Sequence, residues 1–302
     1  MKRKIFIMIF FIMIVSLLGA CQNKESSDPN KLQIAVSIVP QETFVKAVAG
    51  ELVDVVTMVP PGASPENYQP TPQQMTELSK ARVYFSIGVP SEVANIIPNL
   101  RDLNKDITIV ELAHIVDQVY PARYFEDEHE EAVEEKDHVH EGRDPHMWMS
   151  PKRVILMIEA IGDTLSQMDP ENQEIYEKNA SDYIQKLKDV DKEIQATMDQ
   201  LEHKAFIIMH PSMGYFADDY GLEMIALEED GKEKTASHLK TVIDYAKRQN
   251  IKVVFYQAEF DNQQAKTLAS EIGGEALELQ PLAPNYIENL IKMNEVFQRV
   301  LE

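Results

Sequence analysis

The sequence predicts an α/β protein of two doubly wound lobes, each a roughly four-stranded parallel sheet with helices. Three observations predict it. Short, almost wholly apolar segments alternate with helical periodicity in both halves, the pattern of parallel strands covered by crossover helices. One long helical stretch without a breaker lies between the halves. Candidate ligands stand at strand-to-helix junctions in both halves, where such sheets bind their ligands.

In chain order, Lys2, Arg3 and Lys4 precede a 14-residue, nearly all apolar run, Ile5 to Leu18. That is short of the ~20 residues a membrane span needs but suits a signal-peptide core. The run ends in Leu18-Gly19-Ala20-Cys21, and Cys21 is the sole cysteine. Residues 1–20 are therefore expected to be a signal peptide and Cys21 a lipid-attachment site, with the polar residues 21–30 as a tether. Removing the leader takes the formal net charge of the 302-residue chain from −21 to −24. Such acidity argues against nucleic acid or an anionic membrane surface as a partner.

Residues 31–150 read as the N-terminal α/β lobe. Leu32 to Ile38 is a strand, Phe44, Val45 and Val48 recur at helical spacing, and Val53 to Met58 is a second strand. The proline-rich segment 59–65 cannot be regular, so Glu66 and Tyr68 lie in a loop, and Pro72 opens a helix through about Lys80. Val83 to Ile87 and Ile107 to Glu111 are further strands. Between Glu126 and Asp144 stand ten acidic residues with His129, His138 and His140. This run has too little apolar content to order itself and reads as a solvated loop with auxiliary metal capture by its histidines. A zinc-protease helix is excluded there, because His129-Glu130-Glu131-Ala132-Val133 lacks a second histidine.

Residues 151–203 are expected to be helical. Pro151 to Met168 is amphipathic, and Asp169-Pro170 offers a cap and a proline at the first helical position. From Pro170 to about His203, Tyr176, Ala180, Tyr183, Leu187, Val190, Ile194, Met198 and Leu201 step by three or four. Such a helix is roughly 50 Å long, enough to run along both lobes. Residues 204–302 repeat the α/β logic as a C-terminal lobe, with strands at 205–209, 223–227, 253–256 and 276–279. The helices between and after them fall at 214–220, 238–249, 262–272 and 286–301, and Gly221 suits a C-cap. His114 is placed in a strand-to-loop region, His203 at a helix end and His238 at an exposed helix start; none is a ligand candidate.

Three potential ligands remain: Glu66 in Pro65-Glu66-Asn67-Tyr68, His146 in Asp144-Pro145-His146-Met147-Trp148, and His210 in His210-Pro211-Ser212-Met213-Gly214-Tyr215-Phe216. Drawn from both halves at the mouths of βα units, they read as a metal site between two lobes. Two imidazoles and a carboxylate suffice for zinc, with bonds of ~2.0–2.2 Å, while the oxygen moves the site toward manganese or iron. Acidification should weaken binding as the imidazoles protonate near their ordinary pKa of ~6.5.

These motifs, with Tyr68-Gln69-Pro70-Thr71-Pro72 and Tyr220-Gly221-Leu222, resemble the zinc and manganese solute-binding lipoproteins of ABC transporters, the cluster A-I metal receptors. The resemblance spans about Leu32 to Leu301 and includes the acidic, histidine-bearing loop. It implies two lobes bridged by one long rigid helix, with a divalent metal, zinc ahead of manganese or iron, carried in the interlobe cleft. His146 and His210 match the second and third family ligands. Glu66 stands where zinc receptors usually have histidine, and Gln280 where many members have a carboxylate. The resemblance further implies a monomeric, non-enzymatic receptor outside the cytoplasm, lipid-anchored to the bacterial membrane, delivering metal to a permease and its ATPase. The rivals are a secreted metallohydrolase, for which Glu259 is the candidate general base, and a surface adhesin.

Overall fold

The computed structural model describes residues 31–125, 142–229, 232–233, 235–260 and 262–302. Cys21, His129, His138 and His140, with the functions expected of them, lie outside the described residues.

The first half folds as β1 (Leu32–Val36), α1 (Val39–Ala49), β2 (Val53–Thr57), α2 (Pro72–Leu78), β3 (Val83–Ser86), α3 (Ile97–Leu103), β4 (Thr108–Glu111) and α4 (Leu112–Asp117). Its four strands are parallel in the order β2-β1-β3-β4. The order reverses between β1 and β3, so the carboxyl ends of these strands open a crevice. The helical centre comprises α5 (Pro151–Met168) and the 28-residue α6 (Gln173–Gln200). The second half contains β5 (Ala205–Ile208), α7 (Gly214–Tyr220), β6 (Glu223–Ala226), the two-residue strands β7 (Glu228–Glu229) and β8 (Lys232–Glu233), and α8 (Ala236–Gln249). It continues with β9 (Val253–Gln257), α9 (Gln263–Ile272), β10 (Glu275–Leu279) and α10 (Tyr286–Leu301). Its sheet is also parallel, order β10-β9-β5-β6, and reverses between β5 and β9.

The strands form where the chain is apolar without alternation because both sheet faces are covered. β3 is buried throughout its length. One side of each sheet packs into a common core with α1, α5, α6 and α10. Outside, Leu78, Ile96 and Leu100 cover the first sheet, and Val242, Ala246, Leu268 and Ile272 the second.

α6 follows a single 3-10 turn at Pro170–Asn172 and, at ~1.5 Å per residue, is roughly 42 Å long. Tyr176, Ala180, Leu187, Val190, Ile194 and Met198 are buried along one face. The helix is tied to both halves. Asn179 donates to the Val48 carbonyl of α1 at 2.9 Å, and near the other end Asn294 of α10 donates to Thr197 at 3.0 Å. The close α5–α6 crossing places Gly162 where an added Cβ would meet Ala180 Cβ at 3.3 Å.

The structure differs from the expected elements in five places. A five-residue π turn, Glu92–Ile96, leads into α3, and α4 follows β4 directly, so His114 sits on a short helix rather than in a loop. The β7–β8 hairpin lies between β6 and α8. β1 stops two residues early because Pro40 enters the first turn of α1. His238 is half-buried rather than exposed. Among the described residues no helix is long and apolar enough to cross a membrane.

Candidate metal centre

The loop after β2 carries Glu66. Its shape is set by hydrogen bonds from Ser91 N to the Pro65 carbonyl at 3.0 Å and from Asn95 to the Tyr68 carbonyl at 2.9 Å. The Tyr68 hydroxyl donates to Gln74, whose own amide reaches the Met58 carbonyl. The loop thus hangs between the π turn and α2, with the Glu66 side chain 21 % exposed.

His146 sits just ahead of the buried 3-10 turn Met147–Met149. Asp144, wholly buried, takes hydrogen bonds from the His146 backbone N–H at 2.9 Å and pairs with its Nδ1 at 2.8 Å. The other Asp144 oxygen accepts from Arg123 at 3.0 Å, and the Asp144 carbonyl accepts from the Tyr215 hydroxyl at 3.0 Å. Gly214 leaves room for this pair: an added Cβ would lie 2.5 Å from Arg123 Nη1 and 2.6 Å from Asp144 Oδ2, so the pair would have to shift. Trp148 flanks the His146 ring at 5.1 Å and donates to the Pro281 carbonyl at 3.0 Å.

His210 follows β5, at the point where the order of the second sheet reverses. Phe260, beyond β9, stacks on its ring at 4.8 Å. Glu228 Oε2 stands 3.6 Å from His210 Nδ1, a charge pair too long for a hydrogen bond.

The three side chains converge. His146 Nε2 is 3.2 Å from His210 Nε2 and 3.7 Å from Glu66 Oε1, and His210 Nε2 is 3.5 Å from the same oxygen. Both histidines are nearly buried, at 3 % and 4 % exposure. Glu66 Oε1 is buried without a hydrogen-bond partner among the described residues, and the group forms a possible cation-binding set. Burial pushes the Glu66 carboxyl up, but the electrostatic pull of the neighbouring His210 and His146 imidazoles outweighs it and holds it below its ordinary value. Burial likewise disfavours a charged His210, yet the carboxylates of Glu228 and Glu66 prevail and raise it to about 9.

The structure therefore brings Glu66, His146 and His210 together. The Gln280 side chain is exposed and donates to Glu278 at 2.8 Å, and the Gln280 backbone carbonyl accepts from Asn289. Glu259 lies outside the group of three; one carboxyl oxygen is buried without a partner, and burial, with Glu278 adding, pushes its pKa up. Sequence reasoning missed Arg123, Glu228 and Phe260. The only local signal was for Phe260, an aromatic at a strand-to-loop junction.

The profile of the family described as zinc-uptake complex component A, periplasmic (ZnuA), matches residues 34–299. The zinc-binding protein AdcA of Streptococcus pyogenes is 31 % identical over 294 residues, covering 93 % of this chain and 56 % of the relative. The chain thus spans little more than half the length of AdcA. The high-affinity zinc uptake system protein ZnuA of Bacillus subtilis is 30 % identical over 291 residues, 92 % of this chain and 88 % of the relative. A crystal structure of ZnuA superposes with a TM-score of 0.81 at 32 % identity, covering 90 % of this chain and all of that one.

Proposed function

Because the chain belongs to the zinc-uptake complex component A family, the substrate-binding proteins of zinc ABC transporters, we propose that Glu66, His146 and His210 capture zinc between its two lobes for delivery to an importer. Membership makes it a binding protein rather than an enzyme. The observation that carries the reading is the triangle of donor atoms. Tetrahedral zinc with bonds of ~2.0–2.2 Å separates its ligand atoms by roughly 3.3–3.6 Å. The three edges here are 3.2, 3.5 and 3.7 Å, so one cation fits within bonding distance of all three atoms. A water or another side chain completes four-coordination. Asp144 behind His146 fixes that ring with Nε2 toward the metal.

Further parts of this reading rest on the sequence. The expected leader 1–20 and lipid-attachment residue Cys21 support a location on the outer face of a bacterial membrane, held by lipid. A permease and its ATPase then receive the cation. The Glu66 oxygen leaves manganese and iron as competitors, to be ranked by titration.

Proton competition tests the site. Metal needs a neutral His210, and its carboxylate neighbours hold the metal-free ring protonated up to about 9 rather than to the ordinary histidine value expected from sequence. Zinc affinity is therefore expected to rise about tenfold per pH unit from pH 7 to 9 and to level off above, since one His210 proton is displaced per zinc. In the metal-free protein the sign is opposite. Stability from this raised pKa is fully present below ~6.5 and is lost as pH rises through about 9. Competitive chelator titrations at pH 7, 8 and 9 check it; an affinity that does not change over this range contradicts it.

A further inference from the structure

We propose that Glu228 is a positioning residue for the metal centre, holding His210 with Nε2 toward the cation as Asp144 holds His146; the inference rests on the zinc site assigned above. The Leu227 N–H donates to the Ile208 carbonyl and the Glu228 N–H to the Met209 carbonyl, both at 3.0 Å. These bonds extend the β5–β6 ladder past the strand ends and place Glu228 beside the chain entering His210. Its side chain is 17 % exposed, with Oε2 3.6 Å from His210 Nδ1. That nitrogen is buried and has no hydrogen-bond partner among the described residues. When Nε2 binds a cation, the ring proton must reside on Nδ1, and a buried N–H without an acceptor is costly. A small rotation of Glu228 supplies the acceptor. Phe260, stacked on the ring face, limits tilting but cannot choose which nitrogen faces the metal, because it offers no polar atom. The two histidines are thus served by carboxylates of different origin: Asp144 by a turn two residues away, Glu228 by sheet register.

The test uses the full chain purified in detergent, with zinc affinity measured by chelator competition and ligand geometry by the visible spectrum of bound cobalt(II). Glu228→Ala is expected to weaken zinc by ~10–100-fold, the usual cost of losing a partner behind a metal-bound histidine. It is also expected to change the cobalt band positions and intensities at saturation, which a merely structural residue would leave alone. Glu228→Gln keeps an acceptor oxygen at similar reach and is expected to retain the wild-type cobalt spectrum with a smaller loss of affinity. If Glu228→Ala binds zinc within about twofold of wild type and gives the same spectrum, the inference is overturned while the zinc site stands. Should Glu228→Ala fail to fold, wild-type affinity together with an altered cobalt spectrum in Glu228→Gln overturns it instead. No tight zinc in wild type overturns the site reading itself and this inference with it.

Discussion

His146→Ala is expected to weaken zinc binding by more than ~100-fold, because losing even a partner behind a ligand costs ~10–100-fold and this change removes the ligand. The protein should still fold. The His146 backbone N–H continues to bond Asp144, and Arg123 and the Tyr215 hydroxyl keep their own bonds to that residue, so no buried charge is stranded. Isothermal or chelator-competition titration checks the affinity, with circular dichroism as the folding control. A folded variant within about threefold of wild type would exclude His146 as a ligand.

The largest stability effect is expected at Arg153, which is 5 % exposed at the start of α5. Its guanidinium pairs with Asp219 at 2.8 Å, donates to the capping Ser150 at 3.2 Å, and lies over the rings of Tyr215 at 4.5 Å and Tyr120 at 5.2 Å. Asp219 belongs to α7 and is itself nearly buried, so the pair joins the central helices to the segment that follows His210. Arg153→Met keeps the bulk but leaves the Asp219 charge without its cation, with only the Ser150 hydroxyl still donating to it, which is expected to cost ~3–5 kcal/mol. Urea unfolding of the metal-free protein measures it. Adding Asp219→Asn to the same chain should recover much of the loss, since the penalty comes from the stranded charge. A single-variant loss below ~1 kcal/mol would show that the pair is solvated rather than buried.

Most of the fold was legible because the strands are buried on both faces. Segments such as Val83–Ser86 and Val253–Gln257 carry apolar runs that need no tertiary information to recognise. The stripe from Tyr176 to Met198 identified α6 equally well, since a long helix buries one face at a fixed period. The π turn and α3 were not legible. Pro90 and Pro98 interrupt the helical pattern, and the turn buries an acidic residue, Glu92, whose Oε2 accepts from Ser37 and from the backbone N–H groups of Ile87 and Gly88, while its Oε1 has no hydrogen-bond partner among the described residues. The β7–β8 hairpin escaped notice because two-residue, charged strands show no alternation.

At the site, the chemistry of Glu66, His146 and His210 could be read from residue type and from their places after strands. Asp144 was legible as a residue two positions from His146. Glu228 was not: only sheet register brings it to His210 across eighteen positions. The raised pKa of His210 depends on that same register, so sequence could offer only the ordinary histidine value. Gln280 was suggested by the family resemblance, and its side chain donates to Glu278.

The most direct measurement is zinc-edge X-ray absorption on the protein loaded with one equivalent. Four light-atom ligands at ~2.0–2.2 Å are expected, with the multiple-scattering signature of two imidazoles and the remainder oxygen. Three or more imidazoles at full occupancy would contradict this, because at least one histidine beyond His146 and His210 would then be a ligand.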